Sequence, residues 1–168
     1  MTGSAMILAP GSTIGILGGG QLGRMLALAA ARLGLRCHVY SDAADAPAFD
    51  VVAARTVGAY DDVDAVARFA AAVGAVTYEF ENVPVVAAEA AAAHCPVYPP
   101  PQALRSTQDR LVEKDFIAGL GIPVAPYRGV EDAAGLAAAI AALAPGVDIE
   151  AALTSLIARQ LADGVGDG

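Results

Sequence analysis

At 168 residues the chain can hold one domain with a real core plus a fragment, not two complete domains. A formal charge of −8 excludes a broad nucleic-acid surface, which needs clustered Lys and Arg to displace counterions from phosphates. The apolar share is 56%, but alanine is its commonest member and no run of about 20 strongly apolar residues occurs, so no membrane partner is expected.

The start, Met1-Thr2-Gly3-Ser4-Ala5, has no basic region ahead of an apolar core, and the expected location is the cytoplasm. Residues 1–12 read as a flexible leader ending at the turn-prone Pro10-Gly11-Ser12. Order is expected from Thr13, with Ile14-Gly15-Ile16-Leu17 as a strand running into Gly18-Gly19-Gly20-Gln21-Leu22-Gly23. A helix follows over 21–33, with Leu22, Met25, Leu26 and Ala29 at helical spacing and Gly34 as its C-terminal cap. Arg36 to Tyr40 is a second strand, which closes a strand–helix–strand crossover. Ser41 to Ala48 is a polar, turn-rich loop at the carboxyl end of that strand, where open α/β sheets hold ligands.

Alternation continues with a helix over 61–73, a strand over 75–80, an alanine-rich helix over 85–94 and a short edge strand at 96–99. One long polar helix is expected over 102–120, capped by Gly121. This is a doubly wound α/β sheet, Rossmann-like in order. After Ile122 the character changes to alanine-rich helices over 130–143 and 148–161, the second with Leu153, Leu156, Ile157 and Leu161 on one face. The ending Asp163 to Gly168 reads as a solvated, disordered terminus rather than a magnesium site. Cys37 and Cys95 lack C-x-x-C spacing and there are two histidines, so no zinc signature is present and both cysteines are expected as buried free thiols.

Three segments carry the candidate chemistry. The glycine turn aims the unsatisfied amides of the following helix at one point, which favours an anion. Its spacing fits G-x-G-x-x-G, so a dinucleotide and a phosphorylated metabolite both remain open. At the end of the second strand, Asp42 suits a dinucleotide ribose, whereas Ser41 and its loop suit a smaller ligand equally well. In Tyr78-Glu79-Phe80-Glu81-Asn82-Val83-Pro84, period two puts Glu79 and Glu81 on one face. Two carboxylates at the end of a central strand are costly to bury without a partner, and a cationic or amine-bearing ligand is the natural one. On the long helix, Arg110 within Gln108-Asp109-Arg110 can fork onto phosphate or carboxylate, or simply pair with neighbouring carboxylates in solvent.

The glycine segment 15–26, the segment 77–84, Gln108-Asp109-Arg110 with Lys114, and Leu120 to Tyr127 occur in this order. Together they resemble the 5-(carboxyamino)imidazole ribonucleotide synthases, ATP-grasp ligases of purine biosynthesis, over roughly residues 13–143. The resemblance implies a pre-ATP-grasp substrate-binding domain over 13–121, the start of an ATP-grasp region over 122–143, and a divergent helical tail over 144–168. It implies that ATP and bicarbonate give carboxyphosphate, which carboxylates the amine of 5-aminoimidazole ribonucleotide, with Mg2+ assisting.

Carried over by motif, Gly20, Gln21 and Leu22 become substrate-cradle positions facing the ribonucleotide phosphate, and Ser41 a polar contact. Glu79 is the first choice for the aminoimidazole and Glu81 the second, and Arg110 reaches the ATP phosphates. No catalytic or metal-ligating residue is assigned. The chain departs from the family in its lysines: Lys114 is the only one, and no lysine strand or glycine-rich flap follows residue 143. The expectation is therefore a substrate-binding domain that does not turn over ATP by itself. Two other readings compete: a Rossmann-type NAD module using Asp42, and one half of a split enzyme docking to a separate ATP-grasp chain. The family also implies a homodimer.

Overall fold

A computed structural model describes residues 7–80 and 82–143. The expectations for Glu81, for the helix over 148–161 and for the rest of the tail fall outside those residues. The chain divides into two compact units, one ending at Glu113 and the other beginning at Lys114.

The first unit is built on four parallel strands in the order β3-β2-β1-β4: β1 (Thr13–Leu17), β2 (Arg36–Ser41), β3 (Ala54–Val57) and β4 (Ala75–Tyr78). Helix α1 (Gln21–Arg32) joins β1 to β2, α2 (Val63–Ala71) joins β3 to β4, and α3 (Val85–Ala92) follows β4. A short 3-10 helix, Pro47–Val51, precedes β3. Beyond them lie α4 (Pro101–Gln108), α5 (Arg110–Gly119) and, in the second unit, α6 (Ala133–Leu143).

Period-two alternation along the strands separates two cores, one on each face of the sheet. Ile16 and Val39 pack with Ala27 and Ala30 of α1 and with Ala48 and Phe49 of the 3-10 helix. Leu17, Tyr40 and Val76 pack on the opposite face with Val66 and Phe69 of α2 and Ala87 and Ala91 of α3. Helices on both faces of a parallel sheet make the doubly wound architecture that the alternation predicts.

Several elements differ from expectation. The loop expected over 41–48 leads into the 3-10 helix and then β3, an edge strand whose Ala54-Arg55-Thr56-Val57 has no apolar run to announce it. Residues 96–99 contribute a single parallel bridge, Val97 to Val76, rather than a strand. The long helix over 102–120 is two helices, because Asp109 breaks out of helical geometry and its Oδ1 accepts from the amides of Leu111 and Val112 at 2.8 and 3.0 Å. Near the start, Gly11 donates to the carbonyl of Gly34 and Arg36 to that of Ser12, so the end of the expected leader is fastened to the sheet. Gly34 caps α1 as foreseen: at φ +74° it donates to Ala31 while Leu35 donates to Ala30.

Helix α1 also turns an unexpected face to the sheet. Gly23, Ala27 and Ala30 are buried, and Leu22, Met25 and Leu26 point away from the core. Small residues let the helix lie close to the strands. The larger apolar residues stay outside.

Candidate functional site

The carboxyl ends of β1, β2 and β4 meet at one edge of the sheet. Gly18 leaves β1 at φ +114°, a conformation reserved for glycine, and its amide donates to the carbonyl of Tyr40 at 2.9 Å. The amide of Glu79, directly after β4, donates to the carbonyl of Leu17 at 3.2 Å, so strand pairing itself delivers this side chain to the glycine turn.

There its carboxylate takes the anion seat at the start of α1. The amide of Gly20 donates to Oε1 at 2.9 Å and that of Gly23 to Oε2 at 2.6 Å. A carboxylate at a helix N-terminus satisfies two orphan donors and meets the positive end of the helix dipole. The glycines make room for it: a Cβ on Gly18 would stand 2.3 Å from Glu79 Cγ, and one on Gly20 2.8 Å from Oε1. Gly23 is needed for close approach of helix to strand, since a Cβ there would meet the carbonyl oxygen of Gly18 at 2.5 Å.

This revises the role of the glycine turn. Two of its amides hold the protein's own carboxylate, so a phosphate does not have the whole cradle. Among the described residues no acceptor meets the amides of Gln21 and Leu22, so these two donors of the first turn are open. The same carboxylate opposes the NAD reading, because a pyrophosphate lying across the turn would face it directly.

Ser41, at the end of β2, is buried, and its Oγ accepts from the amide of Ala43 at 3.2 Å. A Cβ on Gly19 would touch Ser41 Cβ and Oγ at 2.8 and 2.9 Å, so the second loop closes directly over the first. Tyr60, which the sequence reading passed over, completes the group. Burial pushes its hydroxyl up to about 12; a hydrogen bond from Ser41 opposes the shift, while the charges of Asp42 and Glu79 and neighbouring Tyr40 add to it. Its signal was hidden because it follows the unrecognised β3.

Beside Glu79 a cleft of about 310 Å³ is lined by Tyr78, Phe80, Pro99, Leu104 and Thr107. Thr107 also borders a more polar cleft of about 520 Å³ with Asn82, Gln108, Arg110 and Glu113. Gln108 Nε2 donates to the carbonyl of Val83 at 2.6 Å, tying α4 to the loop after β4. Arg110 is exposed and ion-paired with Glu113 one turn on. Structure therefore brings Gly20, Gln21, Leu22, Ser41 and Glu79 together and sets Arg110 in the adjoining cleft. Lys114 donates to the carbonyl of Ala125 and lies 5.1 Å from the ring centre of Tyr127. Cys37 is buried and Cys95 half-buried; burial raises both thiols. The described residues contain no cluster of three His, Cys, Asp or Glu that could hold a metal, and no helix long and apolar enough to cross a membrane.

The family model of the ribonucleotide synthetase preATP-grasp domain matches residues 11–108, from before β1 to the end of α4. The chain belongs to this family. A relative named N5-carboxyaminoimidazole ribonucleotide synthase, from Brucella melitensis, is 54% identical over 136 residues, covering 81% of this chain and 38% of its own length. A bifunctional purine synthesis protein from Dictyostelium discoideum is 47% identical over 137 residues, 82% of this chain and 14% of its own.

Among solved structures of the family, an N5-carboxyaminoimidazole ribonucleotide synthetase in complex with ADP superposes with a TM-score of 0.80 at 40% identity, over 84% of this chain and 38% of that one. The Aspergillus clavatus synthase in complex with ADP and 5-aminoimidazole ribonucleotide gives 0.74 at 34% identity, over 81% and 37%. This chain thus spans well under half the length of these synthases and corresponds to their N-terminal part.

Proposed function

We propose that this chain is the substrate-binding portion of an N5-carboxyaminoimidazole ribonucleotide synthase and that its ligand is 5-aminoimidazole ribonucleotide. The observation that carries this reading is the Glu79 carboxylate at the carboxyl end of β4, clasped by Gly20 and Gly23 beside Ser41 and Tyr60. Each carboxylate oxygen has spare acceptor capacity after one amide bond, enough for the amine of the aminoimidazole. The ring has the adjoining cleft of Tyr78, Phe80 and Leu104 for its apolar faces. The open amides of Gln21 and Leu22 suit the phosphate or ribose, and Ser41 supplies a hydroxyl.

In this scheme the chain's residues bind and orient: Glu79 holds the amine that is to be carboxylated, and Arg110 reaches from the neighbouring cleft toward the ATP phosphates. Glu81 remains the second carboxylate candidate by sequence. ATP and bicarbonate are co-substrates, with the lysine- and metal-dependent steps falling to the part of the synthases beyond the shared segment. No step assigned to this chain uses a metal.

The reading is tested by thermal unfolding with ligands. Millimolar 5-aminoimidazole ribonucleotide is expected to raise Tm by several degrees, ribose 5-phosphate by less, and NADH not at all, because a ligand that binds only the folded state stabilises it with the logarithm of its concentration relative to Kd. A shift with NADH and none with the ribonucleotide would reverse the assignment.

A further inference from the structure

The clasp on Glu79 does not end at the glycine turn. The Gly20 amide that donates to Oε1 shares its peptide unit with the carbonyl of Gly19, and that carbonyl accepts from the amide of Ala48 at 2.9 Å. Ala48 in turn shares its peptide unit with the carbonyl of Pro47, which accepts from Arg24 Nη1 at 2.9 Å. Both peptide bonds are trans, so in each unit C=O and N–H point in opposite directions and orienting one end orients the other. A guanidinium, two peptide units and a carboxylate thus stand in one hydrogen-bonded line.

We propose that Arg24 is a positioning residue for Glu79, acting through these two peptide units, on the reading that Glu79 holds the substrate amine. Each peptide dipole in the line has its carbonyl toward the cation and its N–H toward the anion, and hydrogen bonds arranged in this way strengthen one another. The Ala48 amide lies in the first turn of the 3-10 helix, where no helical acceptor reaches it, so Gly19 supplies the acceptor. A peptide unit between two glycines has no side chain to fix its plane, and the loop after β2 does so instead. That loop lies so near the turn that a Cβ on Gly19 would stand 2.5 Å from Ala46 Cβ.

Arg24 is placed to hold the far end. From the start of α1 it crosses to the 3-10 helix, and its side chain is 34% exposed. The same Nη1 also donates to Asp50 Oδ2 at 2.8 Å, but the Asp50 side chain is 75% exposed and an ion pair so open to water contributes little by itself. The bond to the Pro47 carbonyl is part-buried and is the one that continues to Glu79.

Amide NMR of the full chain without ligand reads the line directly. Arg24→Met keeps the stem and removes the donors. It should move the Gly20 amide proton upfield and speed its exchange roughly ten-fold, the scale of one lost charge-assisted bond, while Gly23, which meets Oε2 outside the line, changes by less than about two-fold. Arg24→Lys, still able to donate to Pro47, should give a smaller shift in the same direction. In titration with 5-aminoimidazole ribonucleotide, Arg24→Met should bind roughly five-fold more weakly and Arg24→Lys should recover most of the loss. Asp50→Asn, which removes the ion pair and leaves the carbonyl bond, should match the native chain in both measurements.

An unmoved Gly20, equal changes at Gly20 and Gly23, undiminished binding by Arg24→Met, or a loss as large in Asp50→Asn would overturn the proposal. The substrate reading is judged apart from it. If Gly20 responds to Arg24→Met while the native chain takes up no ribonucleotide, that reading falls and the link from Arg24 to Glu79 stands.

Discussion

Glu79 concentrates the chemistry of the site in one side chain. Its place at the end of β4 and its parity along the strand were legible in the sequence; its partners were not. The amides of Gly20 and Gly23 lie 59 and 56 residues away and are found only when β4 pairs with β1. Glu79→Gln keeps the shape but turns one oxygen into a donor facing a backbone N–H, and it removes the charge at the helix N-terminus. It should cost about 2 kcal/mol in urea unfolding.

Tyr60 offers an independent check through pH. Its ordinary value is 10.0 and burial raises it to about 12, so the folded protein holds the proton over a range in which the unfolded chain has lost it. The stability from this group is complete below pH 10 and is lost as pH climbs from about 10 to about 12. Tyr60→Phe should therefore flatten the alkaline fall in Tm within that window, and an unchanged slope would remove Tyr60 from the buried group.

At the level of elements, strand–glycine–helix order and the Gly34 cap were written plainly, because local backbone demands fix them. The orientation of α1 was not. Helical spacing of Leu22, Met25 and Leu26 identifies a face but not what covers it, and close contact with the sheet selects the small residues instead. The break at Asp109 was likewise hidden inside a polar, helix-compatible run; only the side chain's capping bonds reveal it.

Two substitutions test these local accounts by unfolding free energy. Gly23→Ala should destabilise by roughly 2 kcal/mol or more, since its Cβ meets backbone rather than a mobile side chain. Asp109→Ala should cost about 1 kcal/mol, the usual worth of an N-terminal cap.

For the molecule as a whole, the fold and family were readable because four motifs recur in order along a parallel α/β pattern, and the family match over residues 11–108 and the superposed synthases agree. How the glycine turn is occupied was not readable, since a carboxylate and a phosphate satisfy the same amides. The single lysine of the sequence, Lys114, is engaged with Ala125 and Tyr127.

Binding of the ribonucleotide at Glu79 is the central claim, and isothermal titration with 5-aminoimidazole ribonucleotide tests it most directly. The native chain should bind one equivalent, and Glu79→Gln, shown to be folded by circular dichroism, should bind at least ten-fold more weakly. Equal affinity in the two proteins, or no heat from the native chain at millimolar ligand, would contradict the account.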